Sequence, residues 1–386
     1  MSRIGPFEIT RRAAPPLTWV LGVSVAAIAV ALLLVAVIFW SYGVGPVRAF
    51  SVITRGTLLS GRALPEIGRN AIPLLLAGVG LVLAFRAQFW NIGAEGQILA
   101  GATAATGIAL FLPFSMPAPW VLPAMFLAGF VGGALWGLLP TVLRLRLSVN
   151  EVITTLMMNY VAIYLVSWLV HGPWKGPEMR GFAFTNSFPP AAVIPVIAGT
   201  RVHWPTLAIG LLLAAGSAVL LSRTKLGFEI RVQGENPDAA RYAGIDPART
   251  TLLVMLLAGG AAGLAGVGEV AGIHRRLLDP NQISLGFGYA AIIVAWLARG
   301  SPLATIVTAL FLGVVFAAGD VMRVGLQMPA RVTDVVNGLI LFCLIGSERL
   351  LYYRVRWMPA RARPSPAAVG AVGAEGSARG TSGGEA

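Results

Sequence analysis

Charged residues are scarce in this chain of 386 residues: they make up 12% of the sequence, whereas hydrophobic residues make up 56%. Soluble proteins carry about 25% charged residues. Long polar stretches are also lacking, and a fused ATPase, kinase or sensor domain would need a core of its own of about 100 residues or more. The composition therefore predicts a membrane protein without a soluble domain of that size.

Lysine and cysteine are almost absent. Lys175 and Lys225 are the two lysines, so the net charge of +13 comes from arginines scattered among short loops. In a membrane protein such arginines report topology, and no nucleic-acid partner is predicted. Cys343 is the single cysteine, which excludes an intramolecular disulfide.

Catalytic and metal-binding motifs are missing as well. The sequence has no GxxxxGK[ST], HExxH or GxSxG pattern and no paired cysteines. His171, His203 and His274 are the three histidines, and they fall at outer ends of predicted spans or in outer loops, where solvated side chains are expected for His171 and His203. The sequence therefore predicts neither an enzyme nor a metal or cofactor held by this chain.

Hydrophobic stretches are the dominant feature that is present, and they predict an all-α, polytopic membrane protein with about ten transmembrane helices. A spanning helix needs about 20 predominantly apolar residues. Candidate stretches lie at 20–40, 70–85, 92–112, 120–143, 150–170, 204–222, 250–272, 284–298, 302–322 and 332–351. Ten spans divide into five and five, and an odd half inverts the second half in the membrane, which favours an inverted repeat.

The distribution of basic residues predicts that both termini lie inside the cell. Residues 1–19 are then a cytoplasmic N-terminus and 20–352 a multi-pass transmembrane domain. Residues 353–386 form a cytoplasmic tail, for which disorder is predicted because the composition from 358 onward, rich in Ala, Gly, Ser, Pro and Arg, cannot bury a core. Four arginines spaced by seven (Arg48, Arg55, Arg62, Arg69) predict a helix lying at the membrane surface.

Two polar loops break the pattern of short connections, residues 171–203 outside and residues 223–249 inside. The inner one contains GENPDAARYAGIDP, in which Asn236 is placed to cap a helix that starts at Pro237 and ends near Gly244. The sequence therefore predicts a short helix over 237–243 that lies along the membrane, and the alternative is an ordinary capped loop.

Polar residues inside predicted spans are costly, by roughly 2.5–3.5 kcal/mol for a carboxylate, and therefore informative. They occur in FWNIGAEGQILAGA, in NEVITTLMMNYVA and in a glycine-rich span, and the candidates are Asn91, Glu95, Glu151, Thr155, Asn159 and Glu269. The spacing of Glu151, Thr155 and Asn159 at i, i+4 and i+8 predicts one polar stripe. Such a stripe either lines a water-filled pathway or holds neighbouring helices together.

Four segments resemble the membrane permease subunits of bacterial ABC importers, in the branched-chain amino acid and ribose permease superfamily. They are FWNIGAEGQILAGA, NEVITTLMMNYVA, GFEIRVQGENPDAARYAGI and GFGYAAIIVAWLARG. Within the superfamily, NEVITTLMMNY followed by an outer GPWKGP loop is similar to nucleoside-uptake permeases. The resemblance extends over about residues 70–350.

This resemblance implies a transmembrane subunit in the plasma membrane that forms a translocation pathway for nucleosides. It implies three partners: a separate ATPase that uses the ATP, a second permease subunit in a heterodimer, and an external substrate-binding lipoprotein. The short helix matches the coupling helix that docks into the ATPase, which gives a coupling role to Asn236, Pro237, Asp238, Arg241 and Gly244. The six polar span residues would line or support the pathway, in contact with neither cofactor nor metal.

Other functions are compatible with parts of the sequence. An ion-coupled secondary transporter would need a coupling-ion site, for which isolated carboxylates are the only candidates. A membrane-embedded transferase would need clustered catalytic residues in the 171–203 loop. Within the superfamily, sugars or branched-chain amino acids are alternative substrates. The aromatic residues of the outer loop, Trp174, Phe182, Phe184 and Phe188, predict an exposed contact surface for the substrate-binding protein.

Overall fold

Helices dominate the computed structural model, which describes residues 2–4, 7–11, 17–61, 63–112, 116–177 and 181–357. The helices in these residues are α1 (Leu17–Ser41), α2 (Pro46–Thr54), α3 (Ala63–Arg86), α4 (Ala94–Phe111), α5 (Ala118–Leu147), α6 (Glu151–His171), α7 (Trp204–Arg223), α8 (Lys225–Glu235), α9 (Pro237–Tyr242), α10 (Pro247–Val267), α11 (Pro280–Ser284), α12 (Phe287–Leu297), α13 (Ala304–Gly325) and α14 (Ala330–Tyr352). Helical turns of other pitch cover Arg55–Leu59, Pro190–Ala192 and Gly268–His274.

In the described residues, six helices are long and apolar enough to cross a membrane. They are Ala63–Arg86, Ala118–Leu147, Glu151–His171, Trp204–Arg223, Pro247–His274 and Ala304–Gly325, and a bent pair over Val25–Ser41 and Pro46–Leu59 brings the number to seven. Each of the ten predicted stretches overlaps a helix. The count of ten spans and the five-plus-five repeat stay predictions.

The helical chain is interrupted between α11 and α12, so the stretch predicted at 284–298 is, after Ser284, helical only from Phe287 to Leu297. Leu285 ends α11 with φ +46° and Gly286 starts α12 with φ +76°, so the chain turns through two consecutive left-handed residues. Such a turn breaks the hydrogen-bond ladder of a single helix. α12 has 11 residues, which is too few to cross a bilayer alone.

Helix α10 lies at the centre of the bundle and packs against α5, α4 and α3. Glycines allow the close approach: a Cβ on Gly263 would lie 2.1 Å from the Gly129 oxygen, and a Cβ on Gly133 would lie 2.2 Å from the Gly259 oxygen. Gly101 of α4 also meets Gly263. Small residues at these positions therefore serve helix packing.

The prediction of one surface helix that carries four arginines is wrong. Arg48 lies in α2 and Arg55 in the following turn, whereas Arg62 is outside the described residues. Arg69 belongs to α3 and is buried, because its guanidinium lies 3.1 Å from the Glu66 carboxylate and 3.6 Å from the Asp320 carboxylate. Two acidic partners allow this arginine to leave water.

Residues Met1–Ile38 and Gly338–Ala386 form one compact unit, and Phe39–Asn337 form another. In the first unit, strands β1 (Ser2–Ile4), β2 (Phe7–Arg11) and β3 (Tyr353–Trp357) form an antiparallel sheet in the order β1-β2-β3. Over the described ranges, this small sheet is thus the only sheet in an otherwise helical fold. The predicted tail is ordered over 353–357, where apolar and charged residues alternate as in a strand. Residues 358–386 lie outside the described residues.

The long loop at 223–249 contains two helices rather than one. The predicted capped helix is present as α9, with the Asn236 side chain accepting from the N–H groups of Asp238 and Ala239 and with Gly244 at φ +73° after its end. Helix α8 was not predicted. It packs on the end of α3, where a Cβ on Gly234 would lie 2.1 Å from the Arg86 oxygen.

Candidate functional site

Asn159 of α6 holds the chain segment that leads into α4. Its Oδ1 accepts from the N–H of Gly96 at 2.8 Å, and its Nδ2 donates to the Ile92 oxygen at 2.8 Å. The same Nδ2 donates to the Tyr289 hydroxyl of α12 at 3.3 Å. One fully buried amide therefore connects α6 to both α4 and α12.

Thr155 and Asn91 fix the same segment. The Ile92 N–H donates to Thr155 Oγ1 at 3.1 Å, and the Thr155 hydroxyl donates to the backbone carbonyl oxygen of Glu151 at 2.6 Å. Asn91 Oδ1 accepts from the Gly93 N–H at 3.0 Å, which shapes the turn that starts α4. Since both side chains are buried, these bonds replace the ones that water would have made.

The Glu95 carboxylate binds the backbone at the break between α11 and α12. Its two carboxylate oxygens accept from the N–H of Gly286 at 3.2 Å and from the N–H of Gly288 at 2.7 Å. N–H groups at a helix start lack partners inside the helix, and their dipoles favour a negative charge. A Cβ on Gly288 would lie 2.3 Å from the Glu95 nitrogen, so α4 and α12 touch through their backbones.

These four predicted residues and Tyr289 form one cluster, which we call the polar junction: Asn91, Glu95, Thr155, Asn159 and Tyr289. Its first four members are buried, whereas Tyr289 is partly exposed. The sequence did not single out Tyr289, since a tyrosine in a hydrophobic stretch gives no signal by itself. The polar junction can fix the broken α11–α12 segment against α4 and α6.

Glu151 lies at the start of α6, outside the polar junction. One of its carboxylate oxygens is 3.1 Å from an Arg144 nitrogen, and Asn150 caps the helix by accepting from the N–H of Val152. The ion pair joins the last turn of α5 to the first turn of α6. Glu151 thus lies at the end of the bundle that carries α9, because Arg144 also lines a cavity with Pro237 and Arg241 of that helix.

Glu269 lies in a second polar cluster, at the other end of α10. Its carboxylate is fully buried, 3.9 Å from His274 Nε2, and Arg69 and Arg201 act on it electrostatically. In the part of the chain that the structure describes, neither carboxylate oxygen accepts a hydrogen bond. The structure therefore does not bring Glu269 together with the other five predicted residues.

His203 belongs to this second cluster, and the prediction of a solvated side chain is wrong for it. The ring is fully buried against the turn at Gly268–His274, where a Cβ on Gly272 would lie 2.8 Å from the ring. Burial, and next the Arg69 charge, lower the pKa of His203 to about 4, so the ring is neutral at pH 7. His171 is exposed as predicted.

The α9 end of the bundle offers a projecting element with a cavity beside it. Asp238 and Arg241 are exposed and lie 3.6 Å apart, and Tyr242 is almost fully exposed. A cavity of about 220 Å³ separates α9 from the end of α5 and from the residues after α3. Among the described residues, no group of three or more His, Cys, Asp or Glu side chains is arranged to hold a metal.

Most of the outer loop packs against residues 271–277, which corrects the prediction of four exposed aromatic residues. Phe182 is exposed and stacks on Phe184, whereas Phe188 is buried and Trp174 packs on Phe111. Backbone hydrogen bonds explain this: Phe188 N–H donates to the Arg275 oxygen, and others join residues 185 and 194 to 277 and 271. A cavity of about 570 Å³ lies between the two segments.

Comparison with known proteins gives a consistent family. The model described as branched-chain amino acid transport system / permease component matches residues 64–345. A glucose ABC transporter permease protein of Haloferax volcanii is 37% identical, over 86% of this chain and 89% of the relative. A nucleoside ABC transporter permease protein of Lactococcus lactis is 31% identical, over 83% and 89%. A guanosine ABC transporter permease protein of Bacillus subtilis is 28% identical, over 82% and 90%.

These matches cover most of the chain, and the helices described above are those of a multi-pass membrane protein. ABC permeases have no ATPase site of their own, so the family implies an ATPase partner and a substrate-binding protein. The chain belongs to the permease components of the branched-chain amino acid transport system family, as a membrane permease subunit of an ABC importer.

Proposed function

We propose that this chain forms, with a second and related permease subunit, the translocation pathway of an ATP-driven nucleoside importer in the plasma membrane. The observation that carries the substrate is the similarity over more than four fifths of the chain to two permeases named for nucleosides and guanosine.

Helix α9 is the element on which the ATPase docks. It is capped at Asn236, starts at Pro237 and is followed by the left-handed Gly244, so its ends are fixed. Asp238 and Arg241 are exposed on it and available to a partner. ATP is bound and hydrolysed by the partner, and this chain holds no cofactor.

The six polar span residues support the pathway. Asn91, Glu95, Thr155 and Asn159 hold the interrupted segment beside it, Glu151 ties α5 to α6 near the ATPase, and Glu269 lies near the outer end. An external lipoprotein delivers the solute to the outer loop. Of the four outer-loop aromatic residues that the sequence predicts to be exposed, Phe182 is the contact that remains available to the lipoprotein.

Glucose or another sugar is the second candidate substrate. The glucose permease of Haloferax volcanii is more identical to this chain, at 37%, than the nucleoside permease at 31%. Sugars and nucleosides share the hydroxyl-rich ring that amides and hydroxyls bind. Uptake measurements therefore have to compare the two classes directly.

The test is uptake into vesicles that contain the complete importer: this chain, its partner permease, the ATPase and the lipoprotein. We expect uptake of uridine and guanosine that requires ATP and survives collapse of ion gradients by ionophores. Uptake that follows an ion gradient without ATP would contradict the proposal. Uptake of glucose but not of nucleosides would select the second candidate.

Coupling is tested in the same vesicles with Asp238→Ala combined with Arg241→Ala. We expect uptake to fall at least tenfold while the protein still inserts, because the exposed charges of α9 are lost. Lys225→Ala is the matched control, since Lys225 is also highly exposed and lies in the same loop. Unchanged uptake and unchanged co-purification of the ATPase in the double variant would remove this role from α9.

A further inference from the structure

Two exposed tyrosines lie in the middle of α6. The helix rises about 1.5 Å per residue, so Tyr160 is about 14 Å from Glu151 and about 16 Å from His171, the two ends of the helix. Tyr164 follows one turn later on the same face. The exposed fractions are 49% for Tyr160 and 71% for Tyr164. The Tyr160 side chain therefore leaves the subunit near the middle of the hydrocarbon layer, and the Tyr164 side chain leaves it about 10 Å from the His171 end of the helix.

A third exposed tyrosine lies at the depth of Tyr160. Tyr289 begins α12 directly after the break, is 37% exposed, and receives a hydrogen bond from Asn159, the neighbour of Tyr160. Tyr160 is also close enough to Tyr289 to act on it electrostatically. We call these three exposed side chains the tyrosine wall: Tyr160, Tyr164 and Tyr289.

Lipid is a poor neighbour for the hydroxyl groups of this surface. Tyrosines that contact lipid gather at the two membrane–water interfaces, where the hydroxyl reaches water. At mid-depth the hydroxyl would be dissolved in hydrocarbon without a partner. The interrupted backbone beside it, at Leu285 and Gly286, is tolerated at this depth only when it is buried in protein or lines a water-filled cavity.

We propose that the tyrosine wall is the solute-contacting side of the translocation pathway and that it selects solutes with a planar aromatic ring, such as a nucleobase. This inference rests on the proposed importer function. The wall offers aromatic faces for stacking and hydroxyls for hydrogen bonds. Stacking is tolerant of base identity because every base has a π-face.

The polar junction gives the wall its shape. Asn159 fixes the Tyr289 hydroxyl, and Glu95 fixes the start of the helix that carries Tyr289. The buried residues predicted from the sequence are thereby positioning residues, and the exposed tyrosines in front of them contact the solute. This arrangement explains why the predicted polar stripe of α6 is buried whereas the neighbouring tyrosines are not.

Water access to the wall is tested first, with single cysteines in a Cys343→Ala background of the complete importer. We expect Tyr160→Cys and Tyr164→Cys to react with a membrane-impermeant, water-soluble methanethiosulfonate reagent and uridine to slow the reaction. Asn159→Cys is the matched control, since Asn159 is the buried neighbour and should react far more slowly. This measurement needs no transport activity.

Two results of the labelling would overturn the proposal that the tyrosine wall faces the pathway. Reaction with a lipid-soluble maleimide but not with the water-soluble reagent would assign the face to lipid. Efficient cross-linking of both cysteines to the partner permease, without labelling by the soluble reagent, would assign it to the subunit interface.

Ring selection is tested by uptake. Loss of one base–aromatic stack lowers affinity by about 5- to 150-fold. We expect Tyr160→Leu and Tyr164→Leu to raise the half-saturating uridine concentration at least fivefold, and the Phe variants to stay within about twofold. Tyr42→Leu, an exposed tyrosine after the end of α1, should leave it unchanged. Basal ATPase activity of each complex shows that it is folded.

The outcomes separate the two proposals. Wild-type vesicles that take up no solute with ATP would contradict the proposed function, while the labelling still decides the wall. Normal uridine uptake in both Leu variants would overturn ring selection and leave the importer function intact. Wild-type uptake of glucose with exclusion of uridine would also overturn ring selection.

Discussion

Ionisable side chains are buried in two different environments. Glu95 has backbone N–H donors for both carboxylate oxygens, so its burial is compensated by hydrogen bonds. Glu269 lacks such donors in the described residues and relies on the charges of Arg69 and Arg201. We therefore regard Glu95 as part of a rigid support, whereas Glu269 depends on charges from other elements.

His203 makes stability depend on pH. The pKa is lowered from 6.5 to about 4, so between these values the unfolded chain binds the proton and the folded chain does not. Stability is then complete above pH 6.5 and is lost as the pH falls toward 4, by up to roughly 3 kcal/mol. We expect the free energy of unfolding of the wild type minus that of His203→Leu to fall as the pH is lowered from 7.5 to 5 in detergent, because only the wild type loses the contribution of a neutral His203.

The matched control for this titration is His171→Leu, because His171 is exposed. Parallel curves for wild type and His203→Leu would show that His203 is not the group that titrates.

At the scale of elements, the packing of α10 depends on the absence of side chains. Gly263 faces Gly129, and a Cβ there would lie 2.1 Å from the Gly129 oxygen. Distances below van der Waals contact force the helices apart, and such overpacking costs about 1–3 kcal/mol. We expect Gly263→Ala to lower the midpoint of thermal unfolding and the folded yield.

Gly216→Ala is the matched control, since Gly216 lies within α7 and nothing is within 4 Å of its added Cβ. Alanine forms helices better than glycine by about 1 kcal/mol, so this change should keep or raise the midpoint. A similar loss in both variants would indicate an effect of helix propensity rather than of packing.

The interrupted segment is the element that differs most from its sequence pattern. A continuous hydrophobic stretch at 284–298 predicts one span, yet the chain turns at Leu285 and Gly286. The Glu95 carboxylate accepts the N–H groups released by the turn. The break is stable because a residue about 190 positions away along the sequence supplies these acceptors.

At the scale of the whole molecule, the described terminal segments come together. Strand β2 pairs with β3, with Ile9 opposite Val355, so the segments before α1 and after α14 meet. An even number of spans has the same consequence, because both ends then lie on one side. We propose the cytoplasmic side, since it agrees with the distribution of arginines.

Topology reporters test this orientation. We expect a fluorescent protein fused to either end to be fluorescent and alkaline phosphatase fused to either end to be inactive, since both fusions would stay in the cytoplasm. A phosphatase fused within residues 181–189 of the outer loop should be active. Phosphatase activity at one terminus alone would contradict the pairing of the terminal strands.

The sequence by itself determined the features that depend on neighbouring residues. Scarce charge and long apolar stretches determined that the chain is a helical membrane protein. Asn236, Pro237 and Gly244 determined helix α9, because capping acts over three or four residues. Motifs in four segments determined the family, which the comparisons confirmed.

Only the tertiary structure decided which polar groups meet. Asn159 bonds to Gly96, 63 residues away, and Glu95 bonds to Gly288, 193 residues away. The burial of His203 and of Arg69 and the exposure of the tyrosine wall have the same origin. Spacing along one helix shows which side chains share a face, but the packing of distant helices decides what that face contacts.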